Sequence, residues 1–209
     1  MKKSLLLLGV IAALAIGAPA YSQYIYMDVN NSGTCTSADL LTSSVTAIDV
    51  WLDTNHDASV AVKTCSANAS QPLDIFSYDI VVHQAGSGSI TFNSWTNSAS
   101  GFSQLNALTV AGADAGVGYT SPIGGNLPAG LYKLGTFAVS VTGSPNLSFV
   151  GLSSNASIPS FGTGFGSQCE ATTFANTIVL GTDFSDNCGT STGTATESTT
   201  WGKIKQLYH

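Results

Sequence analysis

The chain has 209 residues, of which 44% are hydrophobic and only 9% are charged, and its formal net charge is −6. The apolar content is too high for intrinsic disorder, and the acidic balance leaves no basic surface to neutralise nucleic-acid phosphates, so we expect no nucleic-acid partner. Low charge together with 22 glycines and many hydroxyl residues favours an all-β extracellular protein over a helical one.

The N-terminus has the features of a secretory signal peptide over residues 1–22. Lys2 and Lys3 precede an apolar run from Leu5 to Ala15, and small residues follow around Ala20. The run is shorter than the roughly 20 residues that a membrane-spanning helix needs. We therefore expect a protein that is secreted or held at the cell surface, without a transmembrane segment in the mature chain. Cleavage leaves four lysines against twelve acidic residues, a net charge of −8, which favours a neutral or basic ligand.

Four cysteines predict two disulfides. An even number of cysteines in an exported chain is typical of a disulfide framework. The pairing of Cys35 with Cys65 and of Cys169 with Cys188 is preferred because each bond would close a local loop. The two other pairings stay open.

Residues 23–44 contain a predicted calcium loop. A calcium loop carries oxygen ligands at positions 1, 3, 5, 7, 9 and 12 and a glycine at position 6. Gly33 falls on position 6, and the segment resembles the loop of dockerin modules, although Ser32 and Cys35 depart from that pattern. An Asx-rich turn without metal is the alternative. A short helical pattern runs from Ser37 to Leu41. The predicted calcium ligands are Asp28, Asn30, Ser32, Thr34 through its carbonyl, Thr36 and Asp39.

Residues 45–188 alternate like a β-sandwich. Ile48, Val50 and Leu52 share one face of a strand whose other face is polar. A hairpin is predicted with its turn at Gly86-Ser87-Gly88, and a shift in the apolar phase predicts a bulge at Gly135. The spacing predicts an all-β fold: a two-sheet antiparallel, jelly-roll-like sandwich of about eight or nine strands.

Three segments resemble cohesin and carbohydrate-binding-module sandwiches. They are Ala47-Ile-Asp-Val-Trp-Leu-Asp53, Ser77-Tyr-Asp-Ile-Val-Val82 and the run from Leu127 to Val141. The resemblance implies a nine-stranded, jelly-roll-like fold and a non-catalytic role in binding a polysaccharide or an extracellular protein. Aromatic rings that could stack on a sugar are Trp95, Trp51 and Tyr119, although each is also a residue type found at the rim of a core.

Catalysis is not expected. The chain has no H-E-x-x-H motif and no phosphate-binding glycine loop, and its histidines are His56, His83 and His209. The alternative to a binding module is a structural or adhesive surface component. A polysaccharide hydrolase is a more distant alternative, which would need carboxylates such as Asp74, Asp79 and Asp114 to converge.

The C-terminal segment is predicted to be separate from the sandwich. Residues 189–200 are almost all Gly, Ser, Thr and Ala, which is typical of a flexible linker. Residues 201–209 place Trp201, Ile204 and Leu207 at helical spacing, which predicts a short amphipathic helix. This tail also resembles a T-T-W-G-x-I-K-x-x-Y ending of exported bacterial proteins, which implies a recognition tag.

Overall fold

The structure is a computed structural model that describes residues 24–36, 38–57, 60–65, 71–150, 158, 162–167 and 177–179. All regular elements in these residues are antiparallel strands, which confirms the predicted all-β class. The signal segment, the linker and the tail with its predicted helix lie outside them. The strands are β1 (Tyr24–Asp28), β2 (Ala47–Asp53), β3 (Ser77–Asn97), β4 (Ser103–Ala111), β5 (Asp114–Thr120), β6 (Leu131–Phe149), β7 (Gly164–Gly166) and β8 (Thr177–Val179).

The strands form one hydrogen-bonded sheet in the order β1-β2-β6-β3-β5-β4, and β7 pairs with β3 and β8. β1 belongs to this sheet, at one end of the strand order, through its pairing with β2, so residues on both sides of the predicted boundary near residue 45 share one sheet. Among the described residues, no helix has the length and apolar character needed to cross a membrane.

β3 folds back on itself and gives the sheet two facing layers. Its 21 residues would extend for about 70 Å if straight, which would separate residues 78 and 95 by about 55 Å. Instead the Tyr78 and Trp95 rings are 6.5 Å apart, and the Tyr78 hydroxyl donates to Asn97 Oδ1 at 2.7 Å. The single sheet is therefore bent into a sandwich-like arrangement.

The bend occurs where a hairpin turn was predicted. Gln84 Oε1 accepts a hydrogen bond from the Ile90 amide at 2.6 Å, which only a sharply bent strand allows. Gly86 has a φ of 88°, which favours glycine. The residues after the bend pair with β6 and not with the residues before the bend. The prediction of a hairpin turn at Gly86-Ser87-Gly88 was therefore wrong. The physical reason is that a glycine-rich stretch permits either a turn or a bend, and the partner strand decides which forms.

The core lies between the two layers. The Tyr78 ring stacks on Phe102 and Tyr119, and Trp95 packs edge-on against Phe137 with ring centroids 4.5 Å apart. Burying a large apolar side chain contributes about 1.5–3 kcal/mol. The largest buried side chains include Tyr78, Phe137, Phe165, Ile25, Met27, Ile48, Leu52, Leu73, Ile75, Ile80, Leu134 and Leu147.

A bulge in β6 confirms the prediction at Gly135. Val50 pairs with Gly135, whereas Trp51 pairs with Lys133, so Leu134 is the extra residue. Glycine is required at position 135 because a Cβ there would collide with the Trp95 ring. The bulge changes the side-chain alternation of β6 and thereby decides which side chains reach the polar face.

We expect the protein to lose stability in alkaline solution. Burial raises the pKa of Tyr26 to about 12 from 10.0, with a further contribution from Asp28, and burial also raises the pKa of Tyr78. The unfolded phenols ionise near pH 10, before the folded ones, so the stabilisation is complete below pH 10 and is lost as the pH rises towards 12.

Denaturant midpoints measured from about pH 8 to about pH 12 test this expectation. Tyr26→Phe removes one titrating group, so the stability of this variant should fall less steeply than that of the wild type. Parallel curves for the two proteins would contradict the assignment.

Candidate functional site

The loop after β1 folds around two buried carboxylates, and the first is Asp28. Its side chain is 1% exposed. Oδ1 accepts a hydrogen bond from the Asn30 amide at 3.0 Å, and Oδ2 accepts one from the Gly33 amide at 2.6 Å. A φ of 71° at Gly33 lets the backbone turn back towards Asp28. Because a carboxylate oxygen can accept two bonds, Asp28 retains further accepting capacity.

Asp39 is the second buried carboxylate, and it is fully hydrogen-bonded. Oδ1 accepts from the amides of Val29 and Asn30 at 3.0 and 3.4 Å. Oδ2 accepts from the amide and the hydroxyl of Thr36 at 2.9 and 3.0 Å. These four bonds match the four lone-pair positions of a carboxylate. Asp39 therefore joins the two ends of the loop.

The other predicted ligands lie in the same loop. Asn30 Oδ1 accepts from the Ser32 amide at 3.0 Å, and the Ser32 hydroxyl donates to the Thr34 carbonyl at 2.9 Å. The Thr36 hydroxyl, besides donating to Asp39, accepts from the Ala38 amide at 3.3 Å. Hydrogen bonds therefore link all six predicted residues within one loop. Residues 38–41, the described part of the Ser37 to Leu41 pattern, form a turn followed by irregular structure. The prediction of a helix there was therefore wrong.

A third buried carboxylate, Asp49, lies directly opposite Asp28 on β2. Asp49 Oδ2 accepts from Lys133 Nζ at 2.6 Å, and Oδ1 accepts from the Thr136 hydroxyl at 2.7 Å. In a regular strand, residues 133 and 136 would point to opposite faces because their separation is odd. The extra residue Leu134 places both on the face of Asp49. The bulge thus supplies a cation and a hydroxyl to a buried anion.

A cleft of about 340 Å³ opens between the loop and the polar face of β2 and β6. Hydrogen bonds fix the carboxylates of its walls before any ligand arrives. The cleft contains acidic, amide, hydroxyl and ammonium groups, so it presents both donors and acceptors. Its lining residues are Asp28, Val29, Asn31, Ala47, Asp49, Lys133 and Thr136.

The three predicted sugar-stacking rings are not together. Trp51 is half-buried on the polar face, stacks on Tyr26 and lies beside Gly33. It follows Asp49 by two residues and pairs with Lys133, so it is next to the cleft. Trp95 packs against the core, and Tyr119 is buried there. Trp51 is therefore the ring that adjoins the polar cleft.

The residues considered for catalysis are dispersed in separate pairs. His83 Nδ1 lies 2.6 Å from Asp114 Oδ1 at an exposed position, and His56 Nδ1 lies 2.9 Å from Asp53 Oδ2. Asp74 instead accepts hydrogen bonds from Asn126 and Ser167. Within the described ranges, no three His, Cys, Asp or Glu side chains are placed to hold a metal together.

The cysteines correct one predicted pairing. Cys35 is disulfide-bonded, whereas Cys65 is buried with a free thiol. The preferred Cys35–Cys65 bond was therefore wrong: proximity in sequence was its only basis, and the fold buries Cys65 in the apolar core. Cys169 and Cys188 lie outside the described residues, so their pairing stays a prediction.

Sequence analysis did not single out Asp49, Lys133 and Thr136 as a group. Two features of the sequence point towards this group: the polar face of β2, which contains Asp49, and the predicted bulge at Gly135. The partner of Asp49 depends on which strand lies beside β2 and in which register, and neither is encoded in local alternation.

Comparison with known proteins assigns no family to the chain: no protein-family model, no curated protein and no solved structure matches it. The resemblance to cohesins, carbohydrate-binding modules and dockerin loops accordingly remains a prediction.

Asp39 should stabilise the loop without any metal. In buffer containing a calcium chelator, Asp39→Ala should lower the free energy of unfolding by about 3–5 kcal/mol, because four bonds to a buried charge are lost. The control is Asp114→Ala, which removes a hydrogen bond to the exposed His83 and should cost about 1 kcal/mol or less. Urea denaturation measures both values. Equal losses would contradict the role assigned to Asp39.

Proposed function

We propose that this protein is an exported, non-catalytic binding module that holds a polar ligand in the cleft between the loop of residues 28–39 and the polar face of β2 and β6. The observation that carries the proposal is the fixed set of charged and hydroxyl groups on the cleft walls. Asp49 is held by Lys133 and Thr136, and Asp28 is held by the loop amides. Groups held in place before binding lose little conformational freedom when a ligand arrives.

The ligand class follows from the mixture of groups. A sugar hydroxyl is both a donor and an acceptor, so it can bond the amide, hydroxyl and ammonium groups of the cleft. The net charge of −6 opposes an acidic polysaccharide. Trp51 beside the cleft adds an aromatic surface of the kind that packs on apolar sugar faces. A neutral polysaccharide is therefore the preferred ligand, and a basic extracellular protein is the alternative.

The hydrogen-bond partners of the cleft carboxylates support a binding role over hydrolysis. Asp49 is neutralised by Lys133 at 2.6 Å, and both oxygens of Asp28 accept backbone amides. A glycosidase needs one carboxyl group as an acid and another as a base or nucleophile. In this cleft the carboxylates instead serve as structural acceptors.

Export is part of the proposal. It rests on the signal-like N-terminus and is supported by the disulfide at Cys35, since disulfides persist in oxidising compartments. Secretion or attachment to the cell surface follows from the same argument.

Binding to a panel of neutral polysaccharides, such as a soluble β-glucan, a xylan and a galactomannan, tests the ligand. Asn31→Gly removes a cleft amide at a position with a φ of 59°, which glycine tolerates, and Thr136→Val removes a cleft hydroxyl. Each should weaken binding about tenfold, or about 1.4 kcal/mol.

The matched control is Thr91→Val on β3, an exposed strand threonine outside the cleft lining, and it should bind like the wild type. Calorimetry on each variant gives the affinities. Binding that is unchanged in both cleft variants would contradict this site, and hydrolysis of any of the polysaccharides would contradict the non-catalytic role.

We also propose that the loop binds calcium weakly through Asp28, Asn30, Ser32 and the Thr34 carbonyl. These residues present oxygen atoms in one loop, which suits a hard cation. Thr36 and Asp39 are left out of the set because hydrogen bonds already use every acceptor position of the Thr36 hydroxyl and of the Asp39 carboxylate. A site with one carboxylate should have a dissociation constant of about 10⁻⁴–10⁻³ M, typical of extracellular modules.

Thermal unfolding with calcium, with magnesium and with a chelator tests this site. At about ten times the dissociation constant, calcium should stabilise the fold by about 1.4 kcal/mol. Asp28→Asn should abolish the response, and Asp39→Asn should retain it. If the wild type melts identically with and without calcium, the metal-free turn is the correct description.

A further inference from the structure

Among the described residues, β4 is an end strand of the sheet, and it differs from its neighbour β5. It ends the strand order, and all nine of its side chains are at least partly exposed, whereas five of the seven residues of its neighbour β5 are buried. Leu105 is 61% exposed and Val110 is 50% exposed. A strand at the end of a sheet presents backbone amides and carbonyls that can pair with another strand.

The edge lacks the charges that usually block such pairing. From Gln84 to Ala113 the sequence contains no Asp, Glu, Lys or Arg, although the chain carries a net charge of −6. Natural sheets protect their edges with lysine, proline, inward-facing charges or β-bulges; of these, β4 has bulges, at the two register shifts in its pairing with β5. The opposite end of the strand order is different: β1 ends at the buried carboxylate Asp28, around which the following loop folds. An uncharged edge of nine residues on an acidic protein therefore requires a specific explanation.

The lack of charged residues on β4 favours a second copy of this chain as the partner. Two copies of this chain repel each other wherever acidic surfaces meet, and the stretch containing β4 is where they can approach without like charges opposite one another. A strongly charged peptide would find no opposite charge on β4. A second β4 is equally uncharged, and its exposed Leu105 and Val110 would bury against the edge that meets them.

We propose that two copies of this chain pair through β4, with the two β4 strands antiparallel about a twofold axis. A twofold contact brings the same patch of each subunit together, and an antiparallel strand pair satisfies that symmetry. Two register shifts interrupt the pairing of β4 with β5. Such shifts increase the local twist and disfavour flat, open-ended stacking, so the product is a closed pair and not a fibre. This inference is independent of the ligand proposed for the cleft.

Sedimentation of the mature chain over a wide range of protein concentration tests the pairing. The wild type should shift from monomer to dimer as the concentration rises. Leu105→Lys and Val110→Lys each place charges near the twofold axis and should raise the dimer dissociation constant at least about tenfold. The matched control is Ile123→Lys, which changes a fully exposed side chain in the loop between β5 and β6 and should leave the dimer intact.

A second measurement needs no variant. Hydrogen exchange of the β4 amides should slow as the wild-type concentration rises, because pairing protects them. A wild type that stays monomeric at every concentration overturns the proposal; a strand from another protein, or another segment of this chain, would then be the occupant of the edge. A dimer that persists in both β4 variants, or that Ile123→Lys weakens equally, also overturns it.

Discussion

Three carboxylates buried at one corner of the sheet determine how that corner is built. Asp28, Asp39 and Asp49 are each more than nine-tenths buried, and a buried charge costs several kcal/mol unless it is paired or hydrogen-bonded. Asp28 and Asp39 are satisfied mainly by loop amides, whereas Asp49 is satisfied by Lys133 and a hydroxyl from β6. The path of the loop and the bulge in β6 both help to meet this requirement.

The same requirement produces the cleft. Groups that neutralise buried charge cannot move freely, so the walls keep their positions whether or not a ligand is present. The bulge at Leu134 contributes twice, because it sends Lys133 to the polar face and Leu134 itself into the core. One set of hydrogen bonds therefore offsets the cost of burying the carboxylates and also fixes the groups that line the cleft.

The two ends of the sheet have opposite characters. The β1 end carries the buried Asp28 and its loop, whereas the β4 end is uncharged and, in the part of the chain that the structure describes, pairs with β5 alone. Together the two proposals describe a pair of subunits that join at β4 and carry one cleft at each far end. A polymeric ligand with repeated units could bridge such clefts, so modest affinity at each would be raised by effective concentration. Weak single-site binding would then be compatible with firm attachment to a polysaccharide.

The sequence by itself determined the local features of this protein. Alternation of apolar residues specified the buried face of β2, and the phase shift at Gly135 specified a bulge, because side-chain period and backbone sterics are properties of neighbouring residues. Only the tertiary structure decided that Gly86-Ser87-Gly88 bends one strand, that Cys65 stays free, that Asp39 binds amides and that Lys133 meets Asp49. Each of these outcomes depends on a partner distant in sequence, and a partner is chosen by strand order and register, which local patterns do not contain.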